Sequence, residues 1–429
     1  MGMEIKNKAK EISRVIEKQD AVTILTHNDA DGVAGAAIAK IALEQRGIKN
    51  EVKFVSYLNS RVIDENREKF IWFVDLGNGN IEEIKNKNIS CVISDHHFSD
   101  KPYENSVNPF FYGIDGETEI SAAGLTYLIS SNLYDCSADL AIIGAVGDLQ
   151  DLKYSKIVGM NRELLAKSNI EIKKDIRIYG RDKPVYKMLA YASDPIIPGM
   201  FKRVSSSISF LKKLGIDYEK SWNEMSRQEK KLLLSSLIKL LIEKGFTYEQ
   251  ITRIFGEVYE INEKDVRDFA TVLNALARNS EENLALYICM SGKYEKGEEI
   301  LQNYRKNLCR CISFAKSRIE EYGKFLYFHG RDYINENLVG TVTGLLVREG
   351  INCPIIGFAE NKEGIKISAR LPAMLAGKIN ISEAIQKVAN RLGGHGGGHR
   401  CAGGAIIPKG MENDFLAAFD LEIKNQLTL

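Results

Sequence analysis

Ala21-Val22-Thr23-Ile24-Leu25-Thr26-His27-Asn28-Asp29-Ala30-Asp31-Gly32 passes without a break from an apolar, β-branched run to a cluster of polar side chains. The first half reads as a short strand, and the spacing after it predicts a helix from Gly32 to Arg46, stopped by Gly47. Outward from there the alternation repeats. Glu51 to Ser56, Phe70 to Val74 and Ser90 to Ser94 are strand-like, with a helical Ile81 to Lys87 between the last two. Strands alternating with helices argue for a parallel sheet with helices on both faces. In such sheets ligands gather at the C-terminal strand ends.

Polar residues sit where that rule expects them. His27, Asp29 and Asp31 follow the first strand, and Asp75 follows Ile71-Trp72-Phe73-Val74. Asp95-His96-His97 follows Cys91-Val92-Ile93-Ser94, and Asp148 follows the apolar segment Ala141 to Gly147. A single Asp after a strand is ordinarily a helix cap or turn former. Four such sites, holding three of the six histidines, exceed what capping requires. Carboxylates crowded together repel one another and shift upward in pKa, and divalent cations relieve that conflict. Mixed oxygen and nitrogen donors suit Mn2+, with Mg2+, Co2+ or Zn2+ as substitutes. Two ions roughly 3.5–4 Å apart would activate a water and stabilise a five-coordinate phosphorus.

The C-terminal third holds a second concentration of signal. Phe325 to Phe328, Pro354 to Ala359 and Gly364 to Ala369 are strand-like, and Asn337 to Arg348 and Ser382 to Arg391 are helical. Gly393-Gly394-His395-Gly396-Gly397-Gly398-His399-Arg400-Cys401-Ala402-Gly403-Gly404 is read as a glycine-dense loop before the strand Gly404 to Ile407. Without Cβ atoms its backbone N–H groups can approach a phosphate. Arg370, ending Ser368-Ala369-Arg370, has the planar fork that binds two phosphate oxygens. His329 has the weaker claim and is read as structural.

The motifs His27-x-Asp29-x-Asp31-Gly32, Asp75, Asp95-His96-His97 and Asp148, in that order, resemble those of the DHH phosphoesterases. The glycine-dense segment resembles the signature of the DHH-associated domain. The resemblance implies an α/β protein in three parts: a DHH domain with a parallel sheet over 1–154, a mostly helical middle over 155–320, and an α/β DHH-associated domain over 321–429. It implies His27, Asp29 and Asp75 on one metal, and Asp31, Asp75, His96 and Asp148 on the other. His97 would contact the scissile phosphate and Asp95 would support the histidines. Arg370, His399, Gly396, Gly397 and Gly398 would bind substrate, in a groove between the α/β domains. His395 stands where relatives are often acidic or amide.

Composition sets limits. A net charge of +1 over 429 residues gives no whole-chain argument for nucleic acid. Any basic footprint is local: residues 153–213 hold fourteen Lys and Arg against five Asp and Glu, and are the better candidate for a phosphate track. The apolar stretch Leu232 to Ile242 is too short to span a bilayer. The N-terminus lacks a signal-type apolar core. Seven scattered cysteines form no zinc pattern, and are read as reduced thiols in a cytoplasmic protein.

The expected activity is that of a RecJ-like exonuclease. It would hydrolyse single-stranded DNA or RNA from an end to mononucleotides, with replisome or RNA-processing proteins as partners. A nanoRNase or cyclic-dinucleotide phosphodiesterase is the nearest alternative; the large middle region favours a polymer. A non-catalytic replication scaffold is the third reading, and the complete set of candidate ligands argues against it.

Overall fold

The computed structural model describes residues 2–192, 196–293, 297–362 and 364–428. By contacts the chain divides into two compact units, each built from two separate stretches: 1–179 with 247–302, and 180–246 with 303–429.

The first unit carries a five-stranded parallel sheet. Its strands are β1 (Ala21–His27), β2 (Lys49–Val55), β3 (Ile71–Val74), β4 (Cys91–Ser94) and β5 (Ser106–Val107), in the order β2-β1-β3-β4-β5. β3 and β4 are buried along their whole length, as parallel strands covered on both faces must be. The helix Ala30–Gln45 is buried on nearly all sides. Its many alanines and glycines let it lie close to the sheet and to two further helices, Ala122–Ser130 and Asp139–Gly147. On one face Leu25, Ile71, Phe73, Ile81, Ile84 and Ile93 form a core.

One expectation changes here. The run Ala141 to Gly147 is a helix, not an element of the sheet, so Asp148 is a helix C-cap. A short run that is apolar at every position carries no periodicity, and either structure can bury it.

The mostly helical middle region also contains strands. Glu171–Ile176 (β6), Phe255–Ile261 (β7) and Lys264–Asp265 (β8) form an antiparallel sheet. The helix Arg227–Glu243 does form, closed by a capping box between Ser226 and Glu229, and it buries Leu233, Leu237 and Leu241.

The second unit contains a six-stranded mixed sheet. Its strands are β9 (Glu320–Tyr322), β10 (Phe325–His329), β11 (Ile355–Asn361), β12 (Gly364–Arg370), β13 (His395–His399) and β14 (Ala402–Ile407), in the order β13-β14-β12-β11-β10-β9. The segment read as a glycine loop is therefore partly an edge strand: Gly396, Gly397 and Gly398 pair with Ala405, Gly404 and Gly403. Packing explains two of those glycines. A Cβ on Gly396 would lie 2.8 Å from Ala405 Cβ, and one on Gly398, at φ 140°, 2.3 Å from Ala402 O. Gly397 has open space where its Cβ would be.

Candidate metal centre

β1 delivers His27, whose Nδ1 lies 2.8 Å from Asp29 Oδ2 and 3.3 Å from Asp75 Oδ2. Asp29 divides its carboxylate. Oδ1 accepts the Gly32 N–H at 2.9 Å and caps the helix Ala30–Gln45, while Oδ2 faces His27. Asp31, in the first turn of that helix, is buried and its carboxylate reaches the start of the helix Ala122–Ser130, accepting the N–H groups of Ala122 (2.7 Å) and Ala123 (3.0 Å). A Cβ on Gly144 would lie 2.3 Å from Asp31 Oδ1; glycine is what lets Asp139–Gly147 pass so near. Capping thus occupies these carboxylates without using them up.

Asp75 leaves β3 with φ 59°. That left-handed conformation costs on the order of 1 kcal/mol for a residue other than glycine, and Asp tolerates it better than most. The turn sets Oδ2 toward His27 and Oδ1 3.4 Å from His96 Nε2. Oδ1 is buried and receives no hydrogen bond. An unpaired buried carboxylate oxygen is costly, and a bound cation would satisfy it.

His96 Nδ1 lies 2.6 Å from the carbonyl of Gly116. This contact fixes the tautomer, with the proton on Nδ1 and Nε2 aimed at Asp75 and Asp148, each 3.4 Å away. Buried Gln150 braces the same turn, donating to Gly116 O (2.9 Å) and Ile120 O (3.2 Å), while its Oε1 accepts from Asn161 Nδ2 at 2.5 Å. His97 Nδ1 lies 2.7 Å from Asp95 Oδ1, which also takes the His97 backbone N–H at 3.1 Å. Asp95 Oδ2 accepts the Asn78 N–H at 2.9 Å.

Three sets of donor atoms, each within 4.8 Å of one another, result: His27 with Asp29 and Asp75; Asp31 with His96 and Asp148; and Asp75 with His96 and His97. All the candidate metal-binding residues named from the sequence meet here, with Asp95 and His97 beside them.

The electrostatics fit a set of donors able to hold cations. Burial opposes charge on His27 and His96, but Asp29 and Asp75 outweigh it for His27, as do Asp148 and Asp75 for His96, so both rings sit well above the usual histidine range. His97 is raised against its burial by Asp95. Asp31 is pushed well up by burial and by Asp75, and Asp148 up by burial and by Asp75. Burial also works to raise Asp29 and Asp95, yet His27 and His97 respectively hold them low.

Several residues here carried no sequence motif. Asn274 Oδ1 accepts the Ala30 N–H at 3.0 Å, and the Arg278 charge helps hold Asp29 ionised. Gln150, two positions after Asp148, had proximity as its signal; the others had none. Asp151, three positions after Asp148, is buried and shared between Arg177 and Arg267. The basic segment is partly committed as well: Arg177 and Arg181 are buried, and Lys173 pairs with Glu260.

In the second unit, Arg370 Nη1 donates to Ser368 Oγ (3.0 Å) and to the Ala369 carbonyl (2.9 Å). A Cβ on Gly340 would lie 3.3 Å from Arg370 Nη2. His395 is exposed. The backbone of His399 ends β13, but its side chain lies outside the described residues. His329 accepts the Arg331 N–H at 2.9 Å and stacks on Phe358, as a structural residue does.

Three family models match the chain: the DHH family N-terminal domain over 21–147, the DHH-CID domain over 178–255 and the DHHA1 domain over 323–425. The chain belongs to the DHH family. The uncharacterized protein MJ0831 of Methanocaldococcus jannaschii is 31% identical over 96% of both chains. The CDC45 structure from Entamoeba histolytica superposes with a TM-score of 0.68 at 15% identity, covering 98% of each chain. RecJ from Thermus thermophilus, in complex with Mn2+, gives 0.58 at 17% identity, covering 98% of this chain. This DHH protein spans about half of that RecJ, 55% of its length. At such identities the likeness is one of fold. Among the described residues no helix is long and apolar enough to cross a membrane.

Proposed function

We propose that this DHH protein is a two-metal phosphodiester hydrolase, a RecJ-like exonuclease that degrades single-stranded DNA or RNA from an end to mononucleotides. The observation that carries the reading is Asp75: a buried carboxylate set between two imidazole rings, with an oxygen that receives no hydrogen bond. His27, Asp29 and Asp75 would hold one ion, and Asp31, Asp75, His96 and Asp148 the other. Divalent ions there, Mn2+ by preference with Mg2+, Co2+ or Zn2+ as substitutes, supply water activation and neutralise phosphate charge.

The chain's own residues do the rest. Asp95 holds the His97 ring at Nδ1 and its charge favours the protonated form, from which Nε2 would donate to a phosphoryl oxygen. Arg370, His399 and the backbone of Gly396, Gly397 and Gly398 bind substrate phosphate. At Gly397 the open space beside the backbone is what such a contact needs. The catalytic work falls to 1–154 and substrate binding to 321–429. The protein would act in the cytoplasm, with replisome or RNA-processing proteins as partners.

The test is incubation with 5′- and 3′-labelled single-stranded DNA and RNA in Mn2+. Stepwise release of mononucleotides from one end supports the reading. A second reading, a non-catalytic replication scaffold, draws on the CDC45 likeness, which extends over 98% of both chains. Absence of hydrolysis by protein that retains bound Mn2+ would favour it.

A further inference from the structure

Phe98 follows His97 directly and is 71% exposed. One exposed aromatic is ordinary on a protein surface. The difference here is the rigidity of the backbone that presents it. Asp95, His96 and Ser99 are all buried. The carbonyl of His97 accepts two side-chain amides, from Asn78 at 3.0 Å and Asn108 at 3.1 Å, and both asparagines are buried. Ser99 Oγ accepts the Lys101 N–H at 3.2 Å and donates to the Asn78 carbonyl at 3.3 Å. The chain is thus pinned on both sides of the exposed Phe98.

The same buried amide fixes what lies beside the ring. Asn108 Oδ1 accepts the Phe110 N–H at 3.0 Å, and Phe110 meets Phe98 edge to face, 5.4 Å between centroids at 80°. Asn108 therefore ties His97 to the aromatic that supports Phe98. Phe110 covers only a small part of the Phe98 surface, as the exposure shows. Proteins that hold single strands without reading sequence do so by stacking bases on aromatic rings, and a ring already fixed loses little entropy on binding.

We propose that Phe98 is a stacking platform for the base of the nucleotide whose phosphate lies at His97. The platform selects for the presence of a base and not for its identity. This inference rests on the phosphodiesterase reading above and names the part of the substrate that the metal centre cannot recognise. It makes Phe98 a specificity-determining residue.

The test compares a thymidine dinucleotide with two versions in which one or the other base is replaced by an abasic tetrahydrofuran residue. The wild type is expected to prefer the full dinucleotide over one of the abasic versions by roughly 5- to 100-fold in kcat/KM. Phe98→Ala should collapse that ratio toward one, and Phe98→Trp should restore it. A preference that survives in Phe98→Ala, or its absence from an active wild type, would overturn the platform and leave the hydrolase reading intact. A wild type that cleaves none of the three in Mn2+ removes the hydrolase reading and the platform with it. Bound Mn2+ and the melting temperature, measured on each variant, separate loss of the ring from loss of the fold.

Discussion

Asp95 holds His97 twice through one oxygen, taking the ring Nδ1 at 2.7 Å and the backbone N–H at 3.1 Å. The carboxylate charge also lifts the His97 pKa against the effect of burial. Asp95→Asn keeps the shape and removes the charge. The His97 ring should then titrate at lower pH, visible by NMR, and activity should fall roughly 10- to 100-fold, as for other residues that orient a site histidine. An unmoved titration would mean that the charge does not reach the ring.

Asp75 is proposed to touch both ions, so no other change to the cluster should cost as much. Asparagine is the informative replacement, because it tolerates the left-handed backbone at this position. Asp75→Asn should lose bound Mn2+ and reduce hydrolysis on the order of 10³-fold or more, the several kcal/mol that metal stabilisation supplies. Near-normal turnover with full metal content would refute the two-ion arrangement.

The raised pKa values of His27, His96 and His97 set a pH dependence. In metal-free protein the folded form binds these protons more tightly than the unfolded chain does. That stability is complete below the ordinary histidine range and is lost as pH rises through the raised values. Asp31 and Asp148, also raised, act in the same direction. Asp29 and Asp95, held low, matter only at the acid end. Mn2+ competes for the same sites, so its affinity should rise with pH. The expected pattern is a metal-free melting temperature that falls as pH rises above the ordinary histidine range, and a Mn2+-induced gain that grows. Calorimetry at several pH values decides it; a gain independent of pH would contradict proton competition.

Arg370→Ala should separate substrate binding from metal binding. Removing a charged group from a phosphate costs roughly 1.5–3 kcal/mol, or about 10- to 150-fold in kcat/KM, while bound Mn2+ stays constant. Arg370→Lys should recover little, since lysine lacks the two-pronged geometry. Loss of metal in either variant would show that the second unit has been misassigned.

Asp151 neutralises two arginines in the interior, and Arg177 is almost wholly buried beside it. Asp151→Ala leaves that charge uncompensated and should cost roughly 3–5 kcal/mol, read from urea denaturation. A change below about 1 kcal/mol would mean that water already screens the group.

The candidate metal centre was legible in the sequence because its residues are punctuated by strands. His27, Asp75 and Asp95 each follow a β-branched run, and parallel topology alone brings such positions together. Asp148 follows a helix and not a strand; Ala141 to Gly147 is apolar at every position, which left its element open. The bracing amides Asn78, Asn108 and Asn161 could not be read, because an asparagine in a turn or a short helix looks the same whether its side chain meets solvent or a buried oxygen. The glycine segment showed the opposite difficulty. Its composition was read as a phosphate-binding loop, yet part of it is an edge strand in which close packing requires Gly396 and Gly398.

The first compact unit is interrupted: the chain leaves it after Tyr179 and returns at Thr247. Asn274 and Arg278, which bear on Ala30 and Asp29, arrive only on that return. During synthesis the nascent parallel sheet must therefore wait for a segment made much later. At roughly 5–20 residues per second the delay is on the order of ten seconds. Throughout it the acidic cluster is already present and lacks part of its surroundings. A chain ending before Thr247 would accordingly keep the cluster's own residues but lack the Asn274 and Arg278 that bear on Ala30 and Asp29.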